Sequence, residues 1–150
     1  MILPRPTPDD AYFWDGAAAG KLLARECARC GRLQHPPSPM CPACGSTEWT
    51  VRELSGRGTV HSWVESHHPG HPDDERRVVI LVQLEEGIRM VSNLQGVAVA
   101  DVRNDMPVQV CFLDAEGIVL PQFETAAAAP GVTGDVTGEV AGEVAGEVAR

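Results

Sequence analysis

Residues 27–45 read CARCGRLQHPPSPMCPACG. Two Cys-x-x-Cys-Gly knuckles, Cys27–Gly31 and Cys41–Gly45, leave ten residues between Cys30 and Cys41. Two thiolates three residues apart on a tight turn can grip one ion, and the glycine that follows lets the backbone turn its amides toward the sulfurs. Two such knuckles supply four sulfurs, Cys27, Cys30, Cys41 and Cys44, the donor set of a closed tetrahedral zinc site. Rubredoxin-type iron accepts the same donors. A redox dithiol is disfavoured, because duplicated knuckles close on a metal. With no open coordination position, the zinc is structural: it fixes a ribbon too small to own a hydrophobic core.

Outward from the ribbon the pattern changes on both sides. Upstream, residues 1–10 are Pro-rich and extended. Thr7 or Asp9 is placed to cap a helix over Ala11–Gly16, and a second short helix is expected over Ala17–Glu26. Downstream the period falls to two. TVRELSGRGTVHSWVE (50–65) reads as two strand pieces broken at Gly56–Gly58. RVVILVQLEE and GIRMVSNL form a hairpin across Glu85–Gly87, and MPVQVCFLD and GIVLPQF form another across Ala115–Gly117. Val97–Asp105 is a short helix or a loop. Five principal strands in this order suit a Greek-key barrel of the OB type, with an SH3-like barrel as the competitor. The sequence thus predicts a mainly β protein in four parts: an N-terminal helical segment (1–26), a rubredoxin-like zinc ribbon (27–48), a five-stranded OB-fold barrel (49–124) and a low-complexity tail (125–150). The tail repeats VTGD, VTGE, VAGE and VAGE. A glycine in every repeat and little apolar surface predict disorder there.

The formal net charge is −9 over 150 residues. The tail carries −3 of it and the remaining 124 residues −6, a sign that repels phosphate backbones and disfavours nucleic-acid binding. No stretch reaches 18 consecutive apolar residues, so no membrane helix is expected. The start, MILPRPTPDD, does not read as a signal or transit peptide. The cytoplasm is the expected compartment, with the five cysteines reduced.

Together, TPDDAYFWDGAAAGKL, the ribbon, ELSGRGTVHSWVESHHPGHP, EEGIRMVSNL, MPVQVCF and IVLPQF resemble the zinc-ribbon/OB-fold proteins associated with acyl-CoA enzymes, the domain of unknown function thirty-five family. The likeness covers about residues 4–124. Asn104-Asp105 stands where the family often has a Gly before Met-Pro, and the repeat tail has no counterpart. The resemblance implies a non-catalytic accessory subunit needed for assembly or activity of a thiolase-superfamily partner, such as a lipid-transfer-protein-like thiolase or a steroid side-chain aldolase. It also implies a hetero-oligomer, two copies of each chain. A MaoC-like enoyl-CoA hydratase is the alternative partner. A nucleic-acid-binding ribbon/OB module is a further reading, which the acidic barrel and its few aromatics oppose.

Candidate functional residues fall into three groups. Lys21, Arg25, Arg29 and Arg32 are the basic run of an acidic chain. They are candidates for CoA phosphates, against a solvated face that offsets the zinc thiolates. His67, His68 and His71, in ESHHPGHPDDERR, suit metal binding or acid–base chemistry. Read instead as a Pro-rich loop, they are partner contacts, which is the preferred reading. Tyr12 and Trp14, with Phe13 between them, either dock on a partner or pack on the barrel; three consecutive aromatics cannot share one helix face. Cys111 is a lone thiol with no paired base. Trp63 reads as core, and Arg57 on the SGRGTV bend as a surface contact. No Ser-His-Asp set, phosphate loop or carboxylate pair stands out.

Overall fold

A computed structural model of the chain describes residues 3–67 and 76–126. The expectation of a disordered tail therefore lies outside the described residues, apart from its first two. One helix, α1 (Ala11–Ala18), precedes eight strands: β1 (Leu23–Cys27), β2 (Leu33–Gln34), β3 (Trp49–Glu53), β4 (Arg57–His67), β5 (Arg76–Leu84), β6 (Arg89–Leu94), β7 (Pro107–Ala115) and β8 (Ile118–Thr125). A 3-10 turn at Val99–Asp101 fills the link from β6 to β7.

The second predicted helix, Ala17–Glu26, is absent. Helix α1 ends at Ala18, and Leu23–Cys27 is instead an antiparallel strand, paired from Leu23↔Glu53 to Cys27↔Trp49. Alanine, lysine and leucine favour a helix locally. Here the strand wins because it buries Ala24 and Cys27 and pairs along its whole length. The cap also differs: Asp10 is the N-cap residue, and its carboxylate accepts hydrogen bonds back from the Thr7 N–H and hydroxyl rather than from the helix.

Strand β3, the first of the two predicted strand pieces, pairs with the ribbon, giving the sheet order β2-β1-β3. The remaining five strands close a barrel in the order β4-β5-β6-β8-β7, the topology the two hairpins predict. Closure rests on a short parallel join, Leu94↔Phe123, extended by the Gln95 N–H donating to the Phe123 carbonyl at 2.7 Å. The two hairpin turns fall where expected: the Gly87 N–H donates to the Leu84 carbonyl, and the Gly117 N–H to the Asp114 carboxylate.

Alternation sets the core. Val78, Ile80, Val82 and Leu84 of β5 point inward and meet Val60, Met90, Val108 and Phe123, all buried. Leu22, Ala24 and Leu54, from the ribbon side, belong to the same cluster. Trp63 packs against it, as its strand position predicts. Among the described residues no helix is long and apolar enough to cross a membrane.

Candidate metal centre and flanking surfaces

The two knuckles fold as their glycines require. Gly31 and Gly45 both adopt positive φ, 71° and 73°. Their N–H groups donate to the Cys27 and Cys41 carbonyls at 2.8 and 2.9 Å, and the Cys27 and Cys41 N–H groups reach the Arg32 and Ser46 carbonyls. The two turns therefore have the same architecture and face each other. The Sγ atoms of Cys27, Cys30, Cys41 and Cys44 all lie within 4.8 Å of one another, with Cys27–Cys44 and Cys30–Cys41 each at 3.6 Å. Sulfurs on a tetrahedron with arms of about 2.3 Å stand roughly 3.8 Å apart, so the cage fits zinc without rearrangement.

Electrostatics agree with metal binding. Burial raises the Cys27 pKa, but the Cys30 and Arg29 backbone N–H groups outweigh it and hold the thiol at about 6. At Cys30 the Arg32 backbone N–H favours the thiolate, yet burial and the three neighbouring sulfurs push the group up to about 12. Four crowded sulfurs cannot all ionise without a cation among them. Zinc supplies that charge and holds the two knuckles together; all four donors belong to the chain, so the site is structural.

The basic run disperses. Lys21 forms an exposed ion pair with Glu53 at 2.9 Å. The Arg25 side chain is only 16% exposed. Its guanidinium donates to the Asp9 and Ser38 carbonyls and lies over the Tyr12 and Trp49 rings at 5.6 and 5.9 Å. It ties the N-terminal segment to the ribbon. Arg29 and Arg32 stand exposed on the first knuckle. Tyr12 sits beneath Arg25; burial pushes its phenol pKa up, opposed by the guanidinium. His67 ends β4 in register with Arg76 and is exposed. His68 and His71 lie outside the described residues.

Trp14 meets Phe13 edge-on at 5.1 Å and lines a cleft of about 350 Å³ between α1, the ribbon loop and the barrel. Across the cleft are Val91, Leu120 and Pro121. The residue that sequence reasoning missed is His35, treated there as spacer. It sits 5.3 Å from the Phe13 ring, and its Nδ1 is buried with no hydrogen-bond partner among the described residues. The sequence carried one signal, a His-Pro-Pro step in a ribbon loop beside a helix with three aromatics. A second hollow, about 560 Å³, opens beside Arg76, Gln95, Asp114 and Leu120. Cys111 is half-buried, with its pKa raised by burial and then by Glu124.

The bend at Ser55–Gly58 also carries more than a surface contact. Arg57 Nε donates to both Glu85 carboxylate oxygens at 3.0 Å, and the Ser55 N–H donates to Glu86 at 2.6 Å. The link between ribbon and barrel is thus clamped to the β5–β6 turn.

Fold and cage together define a rubredoxin-like zinc ribbon joined to an OB barrel. Two family descriptions match in that order: "ChsH2, rubredoxin-like zinc ribbon domain" at residues 14–50 and "ChsH2, C-terminal OB-fold domain" at residues 51–113. The chain belongs to this ChsH2/DUF35 family. In the solved "Ltp2-ChsH2(DUF35) aldolase" a chain 40% identical superposes with a TM-score of 0.77, covering 83% of this chain and 100% of that one. A "DUF35 domain-containing scaffold protein" of Pyrococcus furiosus is 30% identical over 67% of this chain and 78% of its own length. A "Probable enoyl-CoA hydratase alpha subunit" of Thermomonospora curvata is 42% identical over 83% of this chain. This chain spans 40% of that subunit's length. "Benzoylsuccinyl-CoA thiolase subunit BbsA" of Thauera aromatica is 27% identical over 62% of this chain and 69% of its own length.

Proposed function

We propose that the chain is a non-catalytic accessory subunit of a thiolase-superfamily acyl-CoA enzyme, a thiolase or a retro-aldolase, and that it supports the assembly or activity of a separate catalytic subunit. The observation that carries this reading is the likeness, over 83% of this chain and 100% of its match, to a chain of the solved "Ltp2-ChsH2(DUF35) aldolase". The chemistry of the chain supports it. The cysteine cage is closed by its own four donors, and burial and the Glu124 carboxylate hold Cys111 as the neutral thiol. The complex contains two copies of each chain. Arg29 and Arg32, exposed on the first knuckle, are its candidates for CoA phosphates. The His67–His71 segment and Trp14 are candidates for contact with the partner.

The hydratase reading has one observation behind it, the T. curvata alpha subunit, but this chain spans only 40% of that protein. Co-purification separates the two. The isolated chain should turn over no acyl-CoA, and should co-elute with a thiolase-type subunit of its own source and raise that subunit's activity. Cleavage of an acyl-CoA by the isolated chain at the rate of the complex would defeat the accessory reading. Selective co-elution with a MaoC-like subunit would transfer it to the hydratase.

A further inference from the structure

The two knuckles are copies of one turn, and the copying fixes which sulfurs meet. Laying one turn on the other carries Cys27 onto Cys41 and Cys30 onto Cys44, with the same glycine hydrogen bond in each. Under that exchange the cross pairs Cys27–Cys44 and Cys30–Cys41 swap places, and their Sγ–Sγ spacings are both 3.6 Å. Exposure is divided in the same way. Cys27 and Cys41 are buried, Cys44 is half-buried and Cys30 is exposed. Each cross pair therefore joins a sulfur nearer solvent to a buried one. Cys30 also stands in the chain between Arg29 and Arg32, both exposed. Reactive cysteines sit in accessible, electropositive surroundings of this kind. Cys111, the fifth cysteine, lies outside the cluster on β7.

We infer that hydrogen peroxide converts the cage into two cross-knuckle disulfides, Cys27–Cys44 and Cys30–Cys41, so that the ribbon exchanges zinc for covalent links between the same two turns. This goes beyond the accessory role and does not depend on it. The accessible thiolate, Cys30, attacks one peroxide oxygen; the O–O bond breaks, hydroxide leaves and the sulfur becomes a sulfenic acid. The Cys41 thiolate then attacks that sulfur, the S–S bond forms and a second hydroxide leaves. Two thiolates have lost two electrons, and one peroxide has become two hydroxides. The other pair repeats the step from Cys44. Four thiolates thus consume two peroxides, and no donor is left to hold the zinc. Each pair of sulfurs needs to close by only about 1.5 Å to reach disulfide length. Chelation takes the metal and leaves the knuckles unlinked. Oxidation takes the metal and leaves two bonds across the same gap, so the ribbon stays closed in both redox states.

The test uses the zinc-loaded wild-type chain and hydrogen peroxide. Released zinc is read with a chromogenic chelator, free thiols are blocked with N-ethylmaleimide, and the disulfides are mapped by mass spectrometry. Trypsin cuts after Arg25, Arg29, Arg32 and Arg52, so Cys27, Cys30 and the pair Cys41 and Cys44 fall on separate peptides, 26–29, 30–32 and 33–52. Zinc should leave in step with two peroxides consumed per ion. Both short peptides should become joined to 33–52, and fragmentation between Cys41 and Cys44 should place Cys27 on Cys44 and Cys30 on Cys41. Dimedone added with limiting peroxide should label Cys30 or Cys44 and spare Cys27 and Cys41. The oxidised chain should melt above the reduced, chelated one, and dithiothreitol with zinc should restore the cage. Short peptides joined to each other would mean that each knuckle closes on itself, which overturns the proposal. So would a Cys27–Cys41 link, zinc retained under excess peroxide, or zinc lost with the cysteines carried on to sulfinic acids.

Discussion

Burial disfavours the imidazolium of His35 and holds its pKa below the ordinary 6.5. The unfolded chain therefore takes up this proton at a higher pH than the folded chain does. The stability contributed by the neutral ring is complete above about pH 6.5 and is lost as pH falls through the folded value. His35→Phe removes that titration and keeps a ring against Phe13. Melting curves taken from about pH 7 to about pH 5 should slope less for the variant than for wild type. Acid also strips zinc by protonating thiolates, so the two proteins are compared at equal bound zinc. Parallel curves would mean that His35 does not link the cleft to pH. The four zinc donors were legible because their spacing is a local code. His35 was not, because its significance comes from a cleft whose far wall lies more than fifty residues away.

At the scale of elements, the barrel was legible and the segment upstream of the ribbon was not. Hairpins declare themselves through alternation and a glycine turn, both short-range features. AAAGKLLARE carries helix formers, and only the partner strand Trp49–Glu53, more than twenty residues on, makes Leu23–Cys27 extended. The SGRGTV step is legible for a different reason. A Cβ on Gly58 would come within 2.5 Å of the Gln83 carbonyl oxygen, a backbone atom of the paired strand β5 that cannot yield. Gly58→Ala should therefore cost about 1–3 kcal/mol. In urea its midpoint should fall while the slope holds. An unchanged midpoint would mean that β4 and β5 can part locally without loss.

At the scale of the molecule, ribbon and barrel share one core: Leu22 and Ala24 cluster with Val60, Leu84 and Phe123. The ribbon's sheet positions Leu22 and Ala24, and zinc fixes that sheet. Removal of zinc, by chelation or by Cys44→Ser, should then lower the melting temperature of the barrel as well. A loss of more than about 10 °C corresponds to a few kcal/mol in a protein of this size. Trp49 reports the ribbon and Trp63 the barrel. In chains keeping one or the other, the two fluorescence transitions should coincide with zinc bound. A Trp63 transition indifferent to zinc would make the shared core a contact without consequence.

The clamp at Ser55–Arg57 and the shared core bear on how such a protein can be moved between hosts. The boundary at residues 50 and 51 between the two matched regions runs through the middle of β3. A barrel started at residue 51 loses the Leu54 N–H bond to the Leu22 carbonyl and uncovers Leu54; one ended at residue 113 lacks β8, which closes the cylinder. The transplantable cassette is thus the whole span from α1 through β8. Grafted intact onto another polypeptide, it carries a fixed angle between metal end and barrel end, so its host need only supply a tether, not a new interface to orient the two halves.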